Sequence, residues 1–274
     1  MQLRLTAMGL LFWFANCVTV DPQGNIISKE SAKPPVYTLE NTPILLEWSE
    51  EDKTVPVMLA ALPDETPRTF QLEDLPPVGN QGPQASGTAW AAGYLAASFH
   101  FRVHRRESQY LCSPAFIYNK LNGGRNEGIE ILDALKLLKY SGCPHVDHMP
   151  YIDSDYLRQP EARALLDAPR FLISGFGRVD FADINQLKAH LLQRKVIIAT
   201  FRITTNFVKL SSRTWKQPEG FAAGRHTVGI VGYDDENQVF LIQNSVGRSW
   251  GRGGLAEIPY PWLMRTTGKA DVLW

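Results

Sequence analysis

The chain has 274 residues, 44% hydrophobic and 20% charged, enough apolar material for a sizeable core in one large domain or in two lobes that share an interface. Its 28 basic and 28 acidic residues cancel, which argues against the sequence-independent phosphate attraction a basic nucleic-acid binder depends on.

In chain order, Arg4 precedes an apolar run from Leu5 to Ala15, the length of a signal-peptide core and too short to span a bilayer. Residues 1–17 read as an export signal, so the expected location is periplasmic or secreted. A lipid anchor at Cys17 is the alternative ending, but Asn16 is a poor fit for the small residue such a signal carries before its cysteine. Cys112 and Cys143 remain after export. A cysteine pair in an oxidising compartment is consistent with one disulfide, two buried free thiols being the alternative. Residues 18–67 carry seven prolines, an excess of acids and no sustained helical period. They read as an extended arm, a pro-segment or spacer, in which TPILLEW and KTVPVMLAAL could each form a short strand or packed patch. The folded domain is expected from Arg68 to Trp274.

The segment 85–142 reads as helical. SGTAWAAGYLAASFHFRVHR places Trp90, Ala91, Tyr94, Leu95 and Ser98 on one face, and GIEILDALKLLKYSG repeats Ile131, Leu135 and Leu138 before Gly142 stops it. Later segments read as strands: RFLISGFGRV, VIIATFRI, HTVGIVGYDD, QVFLIQNSV and GLAEIPY, separated by turn signals such as YDDENQ and RGG. An amphipathic helix, INQLKAHLLQRK, interrupts them. Helices first and strands later give an α+β class, mainly helical over 68–168 and mainly β over 169–274.

Six blocks in order, PPVGNQG, SPAFIYNKLNGG, DALKLLKYSG, MPY with DYLRQP, HTVGIVGYDD and QNSVGRSWGRGG, run from about Leu75 to Trp262. In these the chain resembles the papain-like cysteine peptidases, most closely their bacterial secreted branch. The resemblance implies a helical left lobe, a β-barrel-like right lobe and a substrate cleft between them. It also implies roles. Gln81 matches the oxyanion donor, His226 the general base, Asn244 the residue orienting the histidine ring, and Gly123 and Gly124 the glycines whose backbone pairs with an extended peptide. The nucleophilic cysteine should stand six residues after Gln81, at the start of the central helix, where Gly87 is found.

Other departures surround that glycine. Val246 stands where the family has the indole that shields the histidine–asparagine bond, so that bond is expected to be open to water. Arg225 precedes His226 and should oppose an imidazolium. Gln84 and Leu121 occupy the two ends of a family disulfide. Ser86 and Thr88 flank the empty position, but neighbours on a helix are rotated about 100° apart, so neither should point where residue 87 points. His100 with His104, and His145 with His148, have metal-like spacings without a third ligand nearby in sequence, so no metal and no cofactor is assigned. The leading expectation is an exported pseudopeptidase that binds a peptide or protein in its cleft. The alternatives are an active endopeptidase, with Gly87 a variant of a cysteine or Ser86 or Thr88 substituting, and a structural or adhesive domain.

Overall fold

In the computed structural model the described residues are 55–274 and two short N-terminal strands, β1 (Thr19–Val20) and β2 (Ile26–Ser28), which pair antiparallel. The export signal, Cys17 and TPILLEW lie outside the described residues. Among the described residues no helix is long and apolar enough to cross a membrane.

The β half is one antiparallel sheet. Its strands are β3 (Thr69–Gln71), β4 (Phe176–Arg178), β5 (Ile197–Thr204), β6 (Ala222–Asp234), β7 (Val239–Gln243), β8 (Leu255–Pro259) and β9 (Thr267–Leu273), in the order β4-β9-β5-β6-β7-β8 with β3 also on β6. The β-branched and aromatic runs of β5 to β8 are strands as expected. RFLISGFGRV is corrected: only Phe176–Arg178 extends, because Ser174 and Gly175 turn to donate to the Trp274 carbonyl at 2.6 and 2.9 Å. Two strands were not expected, β9 and β3, and β3 draws the first residues of the supposed helical lobe into the sheet.

The central helix α1 is continuous through three segments, Gly87–Ala89, Trp90–Ala97 and Ser98–His104, the middle one wound as a π-helix. Its expected single apolar face is corrected, since Trp90 to Ala97 are all buried except Tyr94. The cause is small side chains, which let neighbours close in on every side. A Cβ on Gly93 would collide with Ile117, and one on Gly229 of β6 with Leu95 of the helix. Helix α2 (Pro114–Leu121) starts under a Ser113 cap, whose hydroxyl accepts from the Phe116 N–H at 3.1 Å. Helix α3 (Ile131–Tyr140) buries Ile131, Leu135 and Leu138 as their spacing requires and ends at Gly142, with φ +75°. The short α4 (Ala162–Asp167), α5 (Ile184–Leu192), α6 (Thr205–Val208) and α7 (Tyr260–Thr266) complete the chain. Leu95, Ile117 and Leu135 share one continuous core with Val196, Val228 and Ile230, so the two lobes are not independent.

A disulfide joins Cys112 and Cys143, with Cα atoms 5.6 Å apart, and ties the approach to α2 to the end of α3. Both sulfurs are enclosed, and the Tyr110 hydroxyl donates to the Cys143 carbonyl at 2.6 Å. The folded part also reaches back beyond Arg68. Val57, within KTVPVMLAAL, bridges Arg178 in parallel on edge strand β4, and the Met58 N–H donates to the Arg178 carbonyl at 2.7 Å. Gln186 of α5 accepts from the Ala60 N–H at 2.9 Å and donates to its carbonyl at 3.2 Å.

Candidate active site

The helix start and the β6–β7 region supply the two sides of the site. His226 lies on β6, opposite Phe201 of β5, and Asn244 directly follows β7. Asn244 Oδ1 accepts from the Ser245 N–H at 2.7 Å, which fixes the orientation of its amide. The same oxygen lies 2.6 Å from His226 Nε2, so Nε2 must carry the proton and donate. Nδ1 is then the basic nitrogen, and it faces the helix start. A Cβ built on Gly87 would stand 3.3 Å from His226 Nδ1, 3.1 Å from Cε1 and 3.3 Å from Gln81 Oε1.

Gln81 is held from three directions. Its N–H donates to the Ser245 carbonyl at 2.7 Å, its Oε1 accepts from the Ser245 hydroxyl at 2.8 Å, and its Nε2 donates to the Gln84 carbonyl at 2.8 Å. The Gln81 atom nearest the Gly87 position is thus the acceptor Oε1, 3.3 Å from a Cβ built there, while Nε2 is turned to Gln84. The loop before the helix is thus zipped to the loop after β7, and Asn80 bridges Val246 next door.

The flanking hydroxyls are turned away. Ser86 Oγ is fully buried 2.7 Å from the Tyr151 hydroxyl, which donates to the Gln81 carbonyl at 2.7 Å. Thr88 Oγ1 lies 3.0 Å from Thr227 Oγ1, which is 2.9 Å from Thr200 Oγ1, a hydroxyl chain between helix and sheet. Neither flanking side chain bonds to His226, which removes the structural basis for a substituted nucleophile.

Two expectations about the surroundings are corrected. The His226–Asn244 bond is not left open: Asn244 is only 4% exposed, and the Phe207 ring stands 6.2 Å from the imidazole, 5.0 Å from Trp250 and 4.9 Å from Trp215. Trp250 is anchored by donating to the Phe207 carbonyl at 2.7 Å. An aromatic group led by Phe207 of α6 therefore stands beside the imidazole. Nothing in the local sequence pairs Phe207 with His226. Arg225 is exposed, and the depressed basicity of His226 has another origin: burial lowers it below 6.5, and the Asn244 bond opposes this more weakly.

Gly123 and Gly124 are exposed at φ +60° and +78°, with the Gly124 N–H held by Asn122 Oδ1 at 2.8 Å. A Cβ would meet nothing at Gly123 and only Leu157, at 4.0 Å, at Gly124, so conformation rather than crowding calls for glycine. In place of a disulfide between positions 84 and 121, Asn126 Oδ1 accepts from the Ala85 N–H at 2.8 Å, and Gln84 Nε2 donates to the Asp153 carbonyl at 3.2 Å. The spaced histidines lie elsewhere. His100 and His104 have ring centres 5.2 Å apart, and His148 pairs with Asp167 at 2.9 Å.

A helix start facing a histidine–asparagine pair across a glutamine, on this sheet, defines a cysteine-peptidase-like two-lobed protein. The family model for papain family cysteine proteases matches residues 67–261, and the chain belongs to that family. It is 25% identical over 201 residues to an uncharacterized peptidase C1-like protein, L477, of Acanthamoeba polyphaga mimivirus, covering 67% of this chain and 64% of that protein's length. Among solved structures it is similar to xylellain, a cysteine protease from Xylella fastidiosa, at 26% identity and a TM-score of 0.65 over 84% of this chain and 90% of that one. The fold is shared with the Carica candamarcensis cysteine protease CMS1MS2, at 20% identity and a TM-score of 0.63 over 76% of this chain and 98% of that one.

Proposed function

We propose that this is an exported, catalytically inactive papain-family protein that acts by holding a peptide or a protein segment in its cleft. The observation carrying this reading is Gly87: the position facing His226 Nδ1 and Gln81 has no side chain, and the neighbouring hydroxyls are bonded elsewhere. Thioester formation needs an attacking sulfur, and the remaining groups cannot supply one. What survives is suited to binding. Gln81, His226 and Asn244 keep their polar contacts with one another's loops, and Gly123 and the Gly124 carbonyl lie exposed for pairing with an extended chain, the Gly124 N–H being taken by Asn122. The apolar run ahead of Cys17 supports export.

The test uses the full mature chain. It should cleave no peptide substrate and take no label from thiol-directed active-site probes, and Gly124→Trp should weaken peptide binding more than Gly124→Ala, which carries the same backbone strain at φ +78° and serves as the control for the lowered melting temperature both share. Site-dependent cleavage or labelling that persists without Cys112 and Cys143 would refute the reading.

A further inference from the structure

Resting on the reading of the cleft as a peptide-binding site, we infer that its ligand is acidic, with an aspartate or glutamate side chain held by Arg225 and Arg202 on the sheet side of the cleft. The register of two strands brings these residues together. Arg225 of β6 pairs directly with Arg202 of β5, and side chains directly opposite on antiparallel strands lie on one face of the sheet, about 5 Å apart at Cβ. Every second residue of a strand shares that face, so Thr227 and Gly229 belong to it with Arg225, and Thr200 with Arg202. Its contacts fix where the face looks. A Cβ on Gly229 would collide with Leu95 midway along α1, and Thr227 Oγ1 meets Thr88 Oγ1 in the first turn of α1 at 3.0 Å. The next residue on this face in the same direction, about 7 Å farther along β6, is Arg225. The helix begins only at Gly87, so α1 has no turn to cover that position. Arg225 is accordingly exposed, next to the His226 ring that faces Gly87.

The charges on this face are mostly positive. On the other side of β5, β9 places Lys269 opposite Thr200, on the same face. Lys269 is buried and donates to Glu130, at the start of α3, at 2.9 Å, so that acid already serves a cation. Asp271, two residues farther along β9, lies opposite Ile198, buried on the side away from the cleft opening. At the opening itself the face presents two guanidinium groups, and like charges directly opposite repel. A carboxylate between them relieves that repulsion and accepts paired N–H bonds from the planar fork of an arginine, which a neutral amide oxygen does more weakly. An extended peptide crossing the cleft carries such a group at an internal position only on aspartate or glutamate.

The experiment presents the full mature protein with two hexapeptide libraries, capped at both ends and identical except that one carries glutamate where the other carries glutamine, and reads retention by mass spectrometry. Glutamate peptides should be retained about tenfold better or more, the scale of a charge-assisted hydrogen bond. That ratio should fall about threefold or more between about 0.1 and 1 M salt, as the screening length shortens from about 10 to about 3 Å. Arg225→Gln should abolish the preference, and Arg225→Glu should turn it toward a matching lysine library. Arg106→Gln, which removes an exposed cation past the far end of α1, should leave it unchanged. Equal retention of the glutamate and glutamine libraries overturns the acidic-ligand proposal and leaves the peptide-binding reading standing, whereas retention of neither overturns both. A preference that survives Arg225→Gln, or that is lost as fully in Arg106→Gln, overturns the seat at Arg225. If Arg225→Glu does not fold, as circular dichroism shows, Arg225→Gln and the library ratio of the unaltered protein still decide.

Discussion

Restoring the missing atom tests how much of the catalytic environment has been kept. In Gly87→Cys the new Cβ would stand 3.3 Å from His226 Nδ1 and 3.1 Å from Cε1, close enough that the ring must yield by a few tenths of an ångström. The sulfur would then lie about 4 Å from the imidazole, where a thiolate–imidazolium pair is worth about 4 kcal/mol at an effective dielectric constant of 20. Part of that is spent charging a ring whose pKa burial already holds below 6.5. A net stabilisation of about 1.5–3 kcal/mol remains, equivalent to about 1–2 pH units. The thiol should therefore be alkylated with a midpoint near pH 6.5–7.5 instead of about 8.5. The shift should vanish in Gly87→Cys/His226→Gln, and peptide cleavage dependent on His226 should accompany it. The assay is the pH profile of iodoacetamide modification on protein with its disulfide intact. A midpoint at or above 8.5 that ignores His226 would show that the buried Asn244 and the Phe207 ring do not preserve the dyad.

Reducing the Cys112–Cys143 bond should destabilise the fold by about 3–4 kcal/mol, from the entropy of a loop closed at a sequence separation of 31, measurable by urea denaturation with and without reductant. Tyr151→Phe removes the hydroxyl shared by Ser86 and the Gln81 carbonyl and should cost about 1–3 kcal/mol in the same assay, with a fall in cleft affinity because Gln81 loses a support. Acid should also weaken the protein through His100, whose pKa is lowered to about 4 by burial first and then by His104, Arg105 and Lys195. The folded pKa lies below the unfolded value of 6.5, so the unfolded state binds the proton more readily. Stability is full above about 6.5 and falls as pH drops toward about 4, by roughly 2–3 kcal/mol, and His100→Gln should flatten that part of the pH–stability curve.

The parts of the fold readable in the sequence are those whose determinants are local. The spacing of Ile131, Leu135 and Leu138 specifies the buried face of α3, and the apolar runs of β5 and β6 specify strands wherever they pair. Gln81, Gly87, His226 and Asn244 were legible because each sits in its own short motif, and the fold brings them together as the motifs imply. Strand β9 was not legible, because TGKADVL has a polar start that only its neighbours make acceptable. Lys269 is buried there by pairing with Glu130 at 2.9 Å. The all-round burial of α1 depends on how closely Ile117 and β6 approach, which a pattern of alanines does not encode. Phe207 is the clearest case: its place beside His226 follows from the turn of α6 after β5, so a local reading of Val246 predicted exposure where the folded chain provides cover.

The strap from Val55 to Ala60 bears on where this protein can be shortened. The family match begins at residue 67, which invites a cut just ahead of it. Such a cut would strip β4 of the segment that covers it, freeing the Arg178 N–H and carbonyl that now pair with Pro56 and Met58. It would also uncover Gly177, against which Met58 packs. An unprotected outer strand offers its backbone to any other extended chain, and another copy of the same protein is the most abundant such chain in a purified sample. Protein trimmed to residue 68 should therefore self-associate through β4, whereas protein beginning at or before Val55 keeps that border closed.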